Sequence, residues 1–142
     1  MIKHSDKSLS TLFEGELVSH YAFLSDTTLL IYLRHKGQES YHELNLLSGE
    51  LKKSVLELPD RDGHPTVAAT HIVTDTYPNI WGQQKLVIID KETKRKVEEE
   101  YNHPPYYFGP TRCDLHPRID EGLVLFDTVS SGRRKASLLA VA

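Results

Sequence analysis

His64-Pro65-Thr66-Val67-Ala68-Ala69-Thr70-His71-Ile72-Val73-Thr74-Asp75-Thr76 and His116-Pro117-Arg118-Ile119-Asp120-Glu121-Gly122-Leu123-Val124-Leu125-Phe126-Asp127-Thr128 carry the same punctuation. In each, a His-Pro pair is followed 11 residues after the His by Asp-Thr, with an apolar run between. Self-similarity of this kind marks a repeat architecture. A fainter third copy begins at Ser19-His20 and reaches Ile31, again 11 residues on, inside Leu29-Leu30-Ile31-Tyr32-Leu33. The copies are 44 residues apart from His20 to His64 and 52 from His64 to His116. Each spacing suits one four-stranded β-propeller blade.

Working outward, short runs rich in Val, Ile, Leu, Thr and Tyr alternate with turn residues, and helical periodicity is nearly absent. That is how an antiparallel meander reads. The first unit is expected as strands Leu17–Phe23, Thr28–His35, Tyr41–Leu47 and Leu51–Leu58. The second is Pro65–Ala68, Thr70–Thr76, Lys85–Asp90 and Lys96–Tyr101. The third is Arg112–His116, Leu123–Thr128 and Lys135–Val141, with no fourth strand. Ser8–Phe13 is a spare strand ahead of the first unit. The fold class is therefore all-β: a partial β-propeller of about three four-stranded blades, near 17–58, 64–101 and 112–142, in one domain spanning 1–142. Propellers close with about four to eight blades, and open repeat arrays leave apolar end faces. The chain should thus be completed as a homo-oligomer or by the remaining blades of a larger propeller. Two copies would give six blades, each spare strand completing the other copy's last blade.

Composition narrows the function classes. The 142 residues carry 17 Lys and Arg against 20 Asp and Glu, a net charge of −3, so there is no basic footprint for nucleic acid. Lys94-Arg95-Lys96 is cancelled by Glu98-Glu99-Glu100. No run approaches the roughly 20 apolar residues of a membrane span, and the N-terminus lacks the apolar stretch of a signal peptide. A single cysteine, Cys113, fits a reducing compartment. Together these place the chain in the cytoplasm, without nucleic-acid or membrane partners.

Candidate site residues follow from the repeat. His64, His116, Asp75 and Asp127 recur in register and should sit at equivalent heights around the axis. Such a convergence could bind a metal or perform acid–base chemistry. Alternatively, each Asp could bond backbone amides or the neighbouring blade's His and fix blade spacing. Strand alternation places Arg112, Asp114 and His116 on one face, with Cys113 and Leu115 on the other. This face could hold an internal Arg–Asp pair or offer a fork to a carboxylate. If Arg112 and Asp114 are a buried pair, Asp114→Ala should cost roughly 3–5 kcal/mol through the orphaned guanidinium. Tyr77 offers a ring and a hydroxyl suited to sugars, and Trp81 reads as a packing residue. Cys113 faces away from His116, which argues against a Cys–His nucleophile.

Asp62-Gly63-His64-Pro65, Val73-Thr74-Asp75-Thr76-Tyr77-Pro78, Arg112-Cys113-Asp114-Leu115-His116-Pro117-Arg118 and Phe126-Asp127-Thr128 together resemble a bacterial family. These are TolB-like β-propellers related to oligogalacturonate lyase, which cleaves pectin fragments by β-elimination. The likeness runs from about Gly15 to the C-terminus and corresponds to the last three blades. Two features depart from the family: its His-x-His metal cluster and the segment bearing its base are both missing. The usual Ser-Pro-Asp-Gly blade turn is also replaced, by Val67-Ala68-Ala69-Thr70 and Ile119-Asp120-Glu121-Gly122. The chain thus reads as a propeller-type binding module or scaffold for an acidic saccharide or a protein partner. The alternative is a lyase acting on uronate-containing oligosaccharides. In that case His64 or His116 could be the base, and Arg112, Arg118 or a divalent metal the cation facing the carboxylate. Asp75, Tyr77, Asp114, Arg118 and Asp127 are the ligand-binding candidates.

Overall fold

The hairpin turns show why the chain meanders. Lys36-Gly37 and Glu121-Gly122 each place two successive residues at positive φ (52° and 77°; 44° and 76°). Two such residues match the right-handed twist of the flanking strands and close a tight hairpin. In a computed structural model residues 10–141 are described, and among them there are eleven strands, one short 3-10 turn at Gly109–Thr111 and no α-helix. The strands form three antiparallel sheets, each ordered as in the sequence and none closed on itself. The first sheet is β1 (Leu17–Ser25), β2 (Thr28–His35), β3 (Gln38–Asn45) and β4 (Leu51–Lys53). The second is β5 (Thr66–Val67), β6 (His71–Asp75), β7 (Gln83–Asp90) and β8 (Lys96–Asn102), and the third β9 (Arg118–Asp120), β10 (Leu123–Thr128) and β11 (Lys135–Ala140). No helix is long and apolar enough to cross a membrane.

The sheets stack face to face through period-2 alternation. Leu30, Tyr32 and Tyr41 of the first sheet meet Ile72, Val87 and Ile89 of the second in one buried cluster. The other face of the second sheet, Val73, Leu86 and Ile88, packs on Leu115, Val124 and Phe126. The second sheet is therefore apolar on both faces, as a layer covered on both sides must be. A third cluster, Leu29, Ile31, Leu33 and Leu44, lies on the outer face of the first sheet under Phe13, Leu46 and Leu51. The leading strands line up: β1 touches β5, and β5 touches β9.

Several expected strands are corrected. Arg112–His116 is not a strand; the third sheet begins at Arg118–Asp120, part of which reads as a turn in the sequence. His116 sits at φ 42°, a left-handed conformation that ends the extended run before it can pair. β4 stops at Lys53 rather than Leu58. β3 runs Gln38–Asn45, two residues ahead of the expected end, because Asn45 folds its side chain onto the amides of Leu47 and Ser48 to make a turn. Of Ser8–Phe13, Ser8 and Leu9 lie outside the described residues, and residues 10–13 form no strand. Ala142 also lies outside them. The third copy of the repeat is displaced by one. The ladder between β1 and β2 shifts register between Val18 and Tyr21, and such a shift moves side chains to the opposite face. Ile31 consequently faces outward, and Tyr32 takes the inward place toward the second sheet.

Candidate functional site

The site grows out of the segment just before each leading strand. Gly63 lets the chain pass against the second sheet: a Cβ there would lie 1.9 Å from the Asp75 carbonyl oxygen. The next residue, His64, donates its backbone N–H to Asp75 Oδ1 at 2.6 Å. Its ring Nδ1 lies 2.9 Å and 3.0 Å from the two Asp75 oxygens. The amide of His116 reaches Asp75 Oδ2 at 3.0 Å across the joint to the third sheet. One carboxylate thus fixes both repeat histidines, the bridging arrangement anticipated as an alternative to ligand contact. Burial would raise the Asp75 pKa, but hydrogen bonds from the His64 ring, its charge and the two amides outweigh it, so Asp75 stays below the ordinary value. With Asp75 engaging Nδ1, Nε2 is the ring nitrogen of His64 left for another partner.

The histidines of the three repeats stand in a row. Ring centroids are 4.3 Å apart from His20 to His64 and 3.9 Å from His64 to His116. Tyr77, just after β6, meets the His64 ring edge-on at 5.5 Å. Arg112 lies over Tyr77, 4.7 Å from the ring centroid, and directs Nε (3.1 Å) and Nη2 (2.9 Å) at Asp114 Oδ2. Both contacts fall on the same oxygen. Asp114 Oδ1 is buried and has no hydrogen-bond partner, and an unpartnered buried carboxylate oxygen requires an explanation. One ligand atom from each of His64, Asp114 and His116 lies within 4.8 Å of the others. Burial first, then the adjacent His64, holds the His116 pKa below the ordinary imidazole value. Its ring is accordingly a neutral lone-pair donor near pH 7. Burial, Asp62 and Asp114 raise the Tyr77 pKa, so its hydroxyl remains a donor.

Of the residues singled out from sequence, the structure brings together His64, Asp75, Tyr77, Arg112, Asp114 and His116. Among the described residues neither Arg118 nor Asp127 bonds to this group, although Arg118 lies near enough to His116 for its charge to help lower that pKa. Arg118 pairs with Leu125 across β9 and β10 and donates to the Pro117 carbonyl. Asp127 lies on the face of β10 turned away from the second sheet, because Val124 and Phe126 are the residues packed inward. The Arg112–Asp114 pair exists, but the Arg112 side chain is 49% exposed. Water would solvate an orphaned guanidinium there, so the large stability cost expected for a buried pair does not apply. Trp81 is 77% exposed rather than packed. Asn79 Oδ1 accepts the amides of Trp81 and Gln83 at 2.9 Å and 3.0 Å, which holds that loop in place with the indole outward.

Sequence reasoning missed Asp62. It accepts from Ser19 Oγ at 2.6 Å and sits 3.1 Å from His20 Nδ1. The signal was available: Asp62 precedes His64 by two residues and Asp114 precedes His116 by two. Each reaches back to the preceding repeat's histidine, Asp62 to His20 and Asp114 to the neighbourhood of His64. Compared with known proteins, the chain matches no family model, no curated protein and no solved structure.

Proposed function

We propose that the three sheets are blades of a β-propeller and that the chain is a binding module for an acidic saccharide. A divalent cation held by His64 Nε2, Asp114 Oδ1 and His116 would anchor that ligand. The observation that carries the reading is the orphaned Asp114 Oδ1. It is an unpartnered buried carboxylate oxygen on a residue grouped with two imidazoles, and a mixed nitrogen and oxygen donor set suits a first-row divalent ion. The Asp75–His64 bond then acts as the outer support that orients a metal-binding imidazole. Such a cation supplies positive charge for a ligand carboxylate; Arg112, half exposed beside it, offers a second contact. Tyr77 and Asn79 also line a cleft of about 340 Å³ between the second sheet and the connecting segment 58–61. The fixed, exposed Trp81 on the same loop is suited to stacking on a sugar ring.

The test is calorimetric titration of the whole chain with Mn²⁺, then with a uronate oligosaccharide in its presence. Stoichiometric Mn²⁺ binding, lost in Asp114→Asn with the melting temperature nearly unchanged, is the expected result. Absence of Mn²⁺ binding by the wild type, or its persistence in Asp114→Asn, overturns the cation site.

The neutral state of His116 favours a second reading, lyase chemistry. An exposed neutral imidazole beside Arg112 could accept the proton from the carbon next to a uronate carboxylate, the guanidinium offsetting the developing charge. The readings part experimentally. A lyase generates an unsaturated uronate that absorbs in the ultraviolet, and His116→Ala would abolish that signal. A binding module produces none.

A further inference from the structure

Among the described residues, none packs over the outer face of the third sheet. Leu123, Leu125 and Leu138 are 47%, 50% and 64% exposed there. Leu123 and Leu125 pair with Ala140 and Leu138 across β11, so these side chains form one continuous apolar strip. Moving 52 residues upstream, Leu123, Leu125 and Asp127 correspond to His71, Val73 and Asp75. Those three are 7%, 0% and 1% exposed, covered by the third sheet. The free face is therefore the joint surface of the repeat with its partner lacking. Its carboxylate is also unused: among the described residues no donor bonds the Asp127 side chain, whereas Asp75 holds an amide of the next sheet.

We propose that this face docks on the outer face of the first sheet of a second copy, closing two chains head to tail through two such joints. The first sheet presents the complementary surface. Val18, Tyr21 and Phe23 of β1 are 44%, 65% and 61% exposed beside the apolar cluster of Leu29, Ile31, Leu33 and Leu44. Charges match as well. By register, the ionisable residues that the described strands place on that face are His35, His42 and Lys53, none of them a carboxylate, while Glu14 and Glu16 border it in the segment that carries Phe13. The third-sheet face carries Asp120 and Asp127 with Arg118. Stacking two third-sheet faces would instead crowd four carboxylates around two guanidiniums. At the joint, the counterpart of His116 is His20 of the second copy, inside the register shift of β1 where it has no ladder partner. Asp127 would accept from that backbone, as Asp75 does from His116, and would complete the histidine row across the chain boundary. Joints between unlike faces form rings only when the rotation closes, and two copies bring together six sheets, within the range of about four to eight at which propellers close.

Sedimentation equilibrium of the full chain should give twice the chain mass. Leu125→Asp and Phe23→Asp alter opposite, exposed sides of the joint, and each alone should run as a folded monomer with an unchanged far-ultraviolet dichroism spectrum. Mixed together, they should recover a dimer, because one of its two joints is then wild type on both sides. A monomeric wild type overturns the proposal, as do assemblies larger than two, a Leu125→Asp dimer, or variants that fail to associate on mixing. An isologous dimer built on one face would leave the variant altered on the other face dimeric by itself, which likewise overturns the proposal. A variant with an altered dichroism spectrum is replaced by the milder Leu125→Ser or Phe23→Ser and held to the same outcomes.

Discussion

Asp75 and Asp127 hold the same place in the repeat and meet opposite environments. Asp75 is 1% exposed and bonded to two backbone amides and an imidazole. Asp127 lies on an open face, with no donor on its side chain among the described residues. The flanking apolar residues diverge in the same way: Val73 is fully buried and Leu125 is 50% exposed. Since the sequence pattern is shared, the difference comes from what lies opposite. The repeat encodes half of a joint, and the joint becomes a stabilising element only when another sheet presents an amide and an apolar layer.

The comparison breaks most sharply at Gly63. Its missing Cβ is what lets the Asp75 carbonyl approach, since 1.9 Å to a backbone oxygen leaves no rotamer to move aside. Gly63→Ala should cost about 3 kcal/mol, the upper range of overpacking, read as a lowered urea midpoint at constant slope. Gly37→Ala is the control. Its φ of 77° carries strain, but nothing lies within 4 Å, so about 1 kcal/mol is expected. Equal losses at the two positions would show that close approach at Gly63 does not hold the joint.

The carboxylates come next. Asp75→Ala strips the partner from the buried amides of His64 and His116 and should cost about 3 kcal/mol, as for unsatisfied buried donors. Asp127→Ala, measured in the Leu125→Asp background to keep the chain single, should stay within about 0.5 kcal/mol, as surface changes do. Comparable losses would mean that Asp127 already has a partner within its own chain.

Much of this was legible in the sequence. The 11-residue spacing marked His64 and Asp75 as residues of one repeat, which the structure brings into contact because a leading strand and its neighbour are antiparallel, and Thr28–His35 matched β2 residue for residue. What failed has physical causes. The third unit's first strand was placed at Arg112–His116 because polar and apolar residues alternate there in the sequence, yet Cys113, Asp114 and Leu115 are all buried and the segment joins no ladder. A period of two in residue type does not show that a strand is bonded. Ile31 was matched to Asp75 since a bulge near His20 leaves no trace in spacing alone. The pairing of His64 with Asp114 crosses from one repeat to the next, over 50 residues, and only the recurrence of Asp two places before His hinted at it.

The smallest expected effect is the response of the second joint to acid. His103 is 4% exposed, and its Nε2 accepts the Cys113 amide at 3.2 Å, a bond that only the neutral ring can make. Burial first, with Arg112 in the same direction, lowers its pKa below the ordinary 6.5, against the opposing pull of Asp114. Below 6.5 the unfolded chain therefore binds the proton that the folded chain refuses. Stability conferred by neutral His103 is complete above pH 6.5 and is lost as pH falls toward its folded pKa. Asp75 is also lowered, from 3.8, so its share persists to lower pH and is lost only below about 4. Acid should thus weaken the fold in two stages, the imidazole stage first. Urea midpoints measured between pH 7 and 5 with chelator present should decline for the wild type and less steeply for His103→Gln, whose amide oxygen can accept the same bond without titrating. An equal decline in both would assign the first stage to other groups and leave the joint between the second and third sheets insensitive to pH in that range.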